Sequence, residues 1–295
     1  MTNYPAIASA VLRSQVPRLL RPGQRTPAGT GAYFDLLALD DNFRRYYGDS
    51  VHLGWYPAGT ETLREATAKL TDLVIRLACI EPGGEVLDAG CGTGAPAIRA
   101  ATTAACHVTG INVSRRQIRQ GRLLVAQAGL AGRVSLCYGD ALAMPFPDGA
   151  FRSVMCLEVA TDICGTPQAR DRLLDEIWRV LEPGGTAGFC DLNLRQVPGP
   201  GEDRAVRALL YHSGAEMAVD WPAYFRKHGF DITSYADLHE ETLATWEDVQ
   251  DFWQLPAVNR GPGKYIARQV QRRLAELVPV IRRYGTYPAF SARKP

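Results

Sequence analysis

Two apolar rhythms alternate along this chain. Short continuous apolar runs at 107–111, 134–138, 153–157 and 186–191, bounded by turn residues, read as buried strands. Between them, apolar residues recur every three or four positions, as helices require. Leu63, Ala66, Leu70, Leu73, Val74 and Leu77 form one such stripe, so the spacing predicts a helix over 61–80 with Thr60 as its N-cap. Pro82-Gly83-Gly84 ends it before a first strand that carries Val86 and Leu87. Further helices are expected at 35–47, 114–128 (Ser114 as N-cap) and 168–181. From Asn193 to about Asp220 the rhythm stops. It resumes with a helix at 221–228, a strand at 231–236, helices at 245–253 and 265–284, and a last strand at 289–293. This alternation predicts an α/β fold: a mostly parallel seven-stranded sheet with helices on both faces and a helical cap. Ligands in such folds lie beyond the carboxyl ends of the strands.

The first strand leads into the densest chemistry. Asp88 stands at its carboxyl end, and Gly90, Cys91, Gly92 and Gly94 follow before Ala95-Pro96 opens a helix. The glycines let the backbone turn tightly and approach a ligand. A dinucleotide fingerprint would read G-x-G-x-x-G; here the spacing is G-x-G-x-G with an acid two residues upstream. That carboxylate repels a pyrophosphate and suits a ligand carrying positive charge. The other strands end in Asn112, Asp140, Glu158 and Asp191, which sets polar groups along one sheet edge. Asn112 and Gln117 can pair with ribose hydroxyls, and equally read as helix-cap residues. Asp140 can accept from an adenine amino group while the backbone N–H of Ala141 meets a ring nitrogen.

Composition adds limits. Of 295 residues, 46% are hydrophobic and 22% charged, and the formal net charge is +2, which gives no case for nucleic acid or membrane partners. Seven cysteines without a C-x-x-C pair suggest free thiols and a cytoplasmic setting. No apolar run is long enough to span a bilayer. The histidines show no metal-ligand spacing, so no metal is expected. The first 34 residues lack acids, carry Arg13, Arg18, Arg21 and Arg25, and space Ile7, Val11 and Leu12 as a helix would. They read as an arm folding over the active site, with a targeting segment as the alternative. The expected division is an arm or lid at 1–60, a core at 61–192, and cap helices with the last strands at 193–295. Aromatics of the cap region (Tyr211, Met217 beside them, Trp221, Tyr224, Phe225, Trp246, Phe252 and Trp253) suit either an apolar acceptor or plain packing. The basic run near 264–283 reads as a solvated helix face.

Asp-x-Gly-x-Gly-x-Gly resembles the first motif of the class I S-adenosylmethionine (SAM)-dependent methyltransferases. Gly139-Asp140-Ala141 with Met144-Pro145-Phe146, and Arg179-Val180-Leu181-Glu182-Pro183-Gly184-Gly185, resemble elements of their small-molecule members, which include tocopherol, sterol and natural-product sugar O-methyltransferases. His52-Leu53-Gly54-Trp55-Tyr56 is similar to their His-Phe-Gly-Tyr-Trp element, and Ser291-Ala292-Arg293-Lys294-Pro295 to their C-termini. The likeness is good over 33–192 and weak beyond. It implies a Rossmann-like SAM methyltransferase fold. It also implies that Asp88, Gly90, Cys91, Gly92 and Gly94 hold the methionine part of SAM, Asn112 and Gln117 the ribose, and Asp140 and Ala141 the adenine. Where the sugar methyltransferases carry a histidine pair after strand four, this chain has Thr161-Asp162. Asp162 reads equally as a base or as a helix cap, and Asp191 matches an acid near the acceptor in those relatives. The expected activity is methyl transfer to a small, hydrophobic metabolite of natural-product biosynthesis. The alternative is a methyltransferase-like cyclase, as in the spinosyn pathway, that binds SAM without transferring its methyl group.

Overall fold

The computed structural model describes residues 27–37, 50, 52–60, 62–210, 212–255 and 263–295. Its strands are β1 (Glu85–Ala89), β2 (His107–Asn112), β3 (Val134–Tyr138), β4 (Phe151–Leu157), β5 (Leu181–Cys190), β6 (Asn193–Leu194), β7 (Asp231–Asp237), β8 (Gly285–Thr286) and β9 (Pro288–Arg293). Seven of them form one sheet in the order β3-β2-β1-β4-β5-β9-β7. β1 to β5 run parallel, and β9 lies antiparallel between β5 and β7. This is the expected mostly parallel, Rossmann-like seven-stranded sheet. A two-residue ladder between β6 and β8, which the apolar pattern did not reveal, ties the segment after β5 to the one before β9.

The helices are α1 (Pro27–Leu37), α2 (Leu63–Leu77), α3 (Ala95–Thr103), α4 (Arg115–Gln127), α5 (Ala160–Ile163), α6 (Pro167–Val180), α7 (Pro200–Leu210), α8 (Gly214–Met217), α9 (Trp221–Lys227), α10 (His239–Thr242), α11 (Ala244–Gln254) and α12 (Gly263–Tyr284). On one face of the sheet, Leu70 and Val74 of α2 and Ala97 and Ala100 of α3 share a core with Val86, Val108 and Met155. On the other, Leu173, Leu174 and Ile177 of α6 pack with Leu87, Val154 and Phe189. Central strands buried on both faces explain their continuous apolar runs. Phe189 stacks on Phe290 at 4.9 Å and meets Trp221 at 5.1 Å and Phe225 at 5.3 Å. Such ring pairs contribute about 0.5–1.5 kcal/mol each beyond their burial.

Three boundaries differ from the sequence reading. α2 is capped by Thr62, not Thr60. Thr62 Oγ1 accepts from the Glu65 N–H and the Glu65 carboxylate accepts from the Thr62 N–H, a reciprocal box that Thr60 cannot form. β5 begins at Leu181, not 186, because Leu181 already pairs with Phe151 and an irregularity in β4 between Phe151 and Ser153 absorbs the slack. It ends at Cys190, one residue short of Asp191. A helix at Pro27–Leu37 was not foreseen; the helix expected at 35–47 lies, beyond residue 37, outside the described residues, as do residues 1–26. No helix among the described residues is long and apolar enough to cross a membrane.

Candidate functional site

The turn after β1 forms the floor of a cavity at the carboxyl edge of the sheet. Gly90, Gly92 and Gly94 have φ of 77°, 54° and 80°. At Gly90 a Cβ would also lie 2.4 Å from Val159 Cγ2, so only glycine lets the turn seat against the segment that follows β4. Asp88 is buried, and its carboxylate accepts from the Ala97 N–H of α3. Its second oxygen, Oδ2, has no hydrogen-bond partner. Burial pushes the Asp88 pKa up to about 7.

The neighbouring strand ends line the same cavity. Asn112 Nδ2 donates to Gln117 Oε1 at 2.7 Å and to Gly92 O at 3.2 Å, while its Oδ1 accepts from the Val113 N–H at 2.9 Å. Ser114 caps α4 as expected, accepting from the Gln117 N–H. Asp140 accepts from the Leu142 N–H at 2.9 Å, and Ala141 is buried beside it. The cavity spans about 910 Å³ with open solvent included, and is lined by Asp88, Gly90, Cys91, Gly92, Asn112, Gln117, Asp140 and Ala141; Gly94 and Ser114 do not line it. A concave site with a few convergent polar groups suits a small-molecule ligand.

Helix α1 closes one side with Thr30 and Phe34. It packs so tightly on the loop after β2 that a Cβ on Gly31 would lie 2.3 Å from Val113 O. Asp35 Oδ1 accepts from the Ser114 hydroxyl at 2.5 Å and from the Arg116 N–H at 2.9 Å, which fastens α1 to the N-terminus of α4.

The opposite side is acidic. Glu158, at φ 50°, accepts from the Leu53 N–H at 2.7 Å and from the Tyr287 hydroxyl at 2.5 Å. Burial pushes its pKa up to about 8. Asp162 lines the cavity, and its Oδ1 lies 3.8 Å from Nε2 of His212, whose side chain is only 2% exposed. Asp191 does not line the cavity. It is buried behind it, accepting from the Thr161 hydroxyl at 2.6 Å and N–H at 3.0 Å and from the Ala160 N–H, so it caps α5. Burial raises its pKa to about 7. His52, also on the wall, is held down to about pKa 4 by burial, with Nδ1 2.8 Å from Leu53 O and Nε2 3.3 Å from Thr71 Oγ1.

Residues 86–185 match the family described as a methyltransferase domain. The 27-O-demethylrifamycin SV methyltransferase of Amycolatopsis mediterranei (strain S699) is 32% identical over 224 residues, covering 75% of this chain and 80% of that protein. The (+)-O-methylkolavelool synthase of Herpetosiphon aurantiacus is 35% identical over 239 residues, covering 79% and 81%. This chain belongs to the class I SAM-dependent methyltransferases. SAM is its cofactor. The methyltransferase also superposes on the solved [4+2]-cyclase SpnF with a TM-score of 0.76 at 27% identity, covering 92% of this chain and 97% of that one.

The cavity fits a cationic ligand. Its lining includes four carboxylates (Asp88, Asp140, Glu158 and Asp162) and, among the described residues, no lysine or arginine. SAM carries an ammonium and a sulfonium, and the orphaned Asp88 oxygen is the kind of buried acceptor an ammonium satisfies. From the sequence alone His212 could reach a substrate but read more readily as a lone surface histidine, and Glu158 had no role beyond ending a strand. Nothing in local spacing joins position 212 to 162; only the docking of the cap does. None of the described cap aromatics lines the cavity: Trp221, Phe225, Trp246 and Phe252 are core, and Tyr211 lies outside the described residues.

Proposed function

We propose that this methyltransferase moves the SAM methyl group onto a hydroxyl of a small, mostly apolar metabolite of natural-product type. The observation that carries this reading is Asp162 on the wall of the cavity that holds Asp88 and Asn112, with the buried His212 imidazole 3.8 Å from its carboxylate. The two curated relatives support oxygen as the acceptor atom, since their names specify O-methylated products or O-demethyl substrates. SAM brings a methyl group on a positively charged sulfur with a good leaving group, so the protein's tasks are positioning, exclusion of water and proton removal. Asp88 with Gly90, Cys91, Gly92 and Gly94 holds the methionine part. Asn112 and Gln117, oriented by each other, meet the ribose, and Asp140 with the Ala141 N–H meets the adenine.

At the acceptor, the hydroxyl proton passes to the Asp162 carboxylate as the methyl group arrives on the oxygen, and the buried His212 beside it positions that carboxylate. Asp191 acts one layer back. By capping α5 it holds Thr161, and therefore the neighbouring Asp162, at the cavity wall. In the division we propose, 1–60 is the arm or lid segment (described at 27–37, 50 and 52–60), 61–192 the core, and 193–295 the cap and the last strands. Seven unpaired cysteines fit a cytoplasmic setting, and the near-neutral charge gives no basis for a nucleic-acid partner.

The test is incubation with SAM bearing a deuterated methyl group and a metabolite extract of the host, followed by mass spectrometry. A labelled, O-methylated small molecule is expected. The likeness to SpnF favours one second reading, ring closure with SAM bound and intact. An unlabelled isomer of an extract component, with SAM unconsumed, would establish that reading and remove the first.

A further inference from the structure

Glu158, on the cavity wall, accepts from two neutral donors that come from distant parts of the chain. Those donors are the Leu53 N–H and the Tyr287 hydroxyl, both on its Oε1. It sits beside the glycine turn, because β4 pairs with β1 and the next residue, Val159, abuts Gly90. The titratable groups that face it are themselves acidic or neutral. They are Asp162 on α5, Asp191 and Cys190 at the end of β5, Tyr287 before β9, and His52, which is neutral at physiological pH. Neutral donors orient a carboxylate without cancelling its charge, and no lysine or arginine among the described lining residues does so either.

We propose that Glu158 is the counter-charge to the sulfonium of SAM, and that it makes the cavity discriminate SAM from S-adenosylhomocysteine (SAH), the product that has lost this charge. The proposal rests on the SAM placement above and not on the identity of the acceptor. SAM and SAH share the ammonium, so whatever Asp88 contributes is common to both ligands and cancels in their comparison. The sulfonium alone distinguishes them. A cation stabilises the ionised form of a nearby carboxylate. With its pKa pushed up to about 8 in the free protein, Glu158 is mostly protonated at neutral pH, and SAM binding drives its proton off. SAM affinity therefore rises with pH until Glu158 is ionised without help, then levels off, while SAH affinity gains nothing from this group. The consequence for turnover is directional: methyl transfer abolishes the charge that Glu158 holds, so the product is bound less tightly than the substrate.

Isothermal titration calorimetry of the full chain with SAM and with SAH, between pH 6 and pH 9 and in two buffers of different ionisation enthalpy, tests this. The wild type should release more protons with SAM than with SAH. Its SAM-to-SAH affinity ratio should climb with pH by up to about tenfold per unit before flattening, the limit for one linked proton. In Glu158→Gln the excess proton release should vanish and the ratio should fall by about tenfold or more and lose its pH dependence, with SAH affinity little changed. Should that variant not fold, Tyr287→Phe keeps the carboxylate, removes a hydrogen bond to its charged form, and should move the flattening point to higher pH. Equal proton release for the two ligands in the wild type overturns the role of Glu158. Failure of both ligands to bind overturns it together with the SAM placement.

Discussion

The two walls of the cavity are built differently. The cofactor wall is mostly main chain: a glycine turn after β1 and the ends of β2 and β3, each held in register by parallel pairing. Its side chains find their partners nearby, as Asn112 does in Gln117. The acceptor wall is assembled from side chains far apart in the chain. Asp162 follows β4 and is backed by His212 from the cap, while Glu158, gripped by Leu53 and Tyr287, stands on the cofactor side where the two walls meet. A ligand shared across a family is thus held by backbone geometry, whereas the chemistry that varies is carried by exchangeable side chains on connecting segments.

If the walls are separate in this sense, damage to one should spare the other. The largest effect is expected from Asp162→Asn, which should lower kcat by about 10²–10⁴-fold, the usual range for losing a general base, with His212→Gln, acting through Asp162, lowering it less. SAM affinity, read by calorimetry, should stay within about twofold; a large loss of SAM binding would show that the walls are coupled. Asp88→Asn should do the converse. It should weaken SAM by roughly 10- to 150-fold, the value of a charge-assisted hydrogen bond, while kcat at saturating SAM changes little.

Stability supplies a third probe. Asp88, Asp191 and Glu158 have native pKa values pushed up to about 7, about 7 and about 8. The folded state therefore binds more protons than the unfolded chain. Their contribution is complete below the ordinary carboxylate range, near pH 4, and is lost as the pH rises through 7 and 8. Asp171, Glu176 and Asp237 are shifted the other way, so they act only at still lower pH. Denaturant midpoints of the ligand-free protein should fall from pH 5 to pH 9, and saturating SAM should flatten the fall. A rising midpoint would contradict the burial of these acids. The smallest effect concerns the lid. Asp35→Asn removes a charged cap from α4 and should cost about 1 kcal/mol, seen as a severalfold faster SAM release in stopped flow.

The same contrast explains what was legible from sequence. The sheet and the turn after β1 are written in contiguous patterns: apolar runs, an acid, glycines, a helix start. Asp88, Asn112, Asp140 and Glu158 therefore came together as expected along one edge. Asp191 did not, because β5 ends at Cys190 and the next carboxylate is captured by the exposed N–H groups that begin α5. A strand-end rule sees the acid and not the helix that claims it. Thr60 lost its capping role for a similar reason, since the Glu65 that completes a box lies three residues after Thr62. That His212 is buried beside Asp162 was not legible, because it depends on how the cap docks, and no period or spacing encodes that.

The position of β9 bears on how the enzyme is made. A ribosome delivers β5 and β7 before the strand that must lie between them. Until β9 arrives, β5 and β7 both present open edges with unpaired backbone groups, the kind of surface that invites association with other chains. Tyr287, which grips Glu158, comes with that same late segment. An incompletely synthesised chain thus has the glycine turn already in place but lacks both the closing strand and the grip on its acidic wall. Cofactor chemistry becomes available only when the sheet is sealed, which ties competence to completed synthesis.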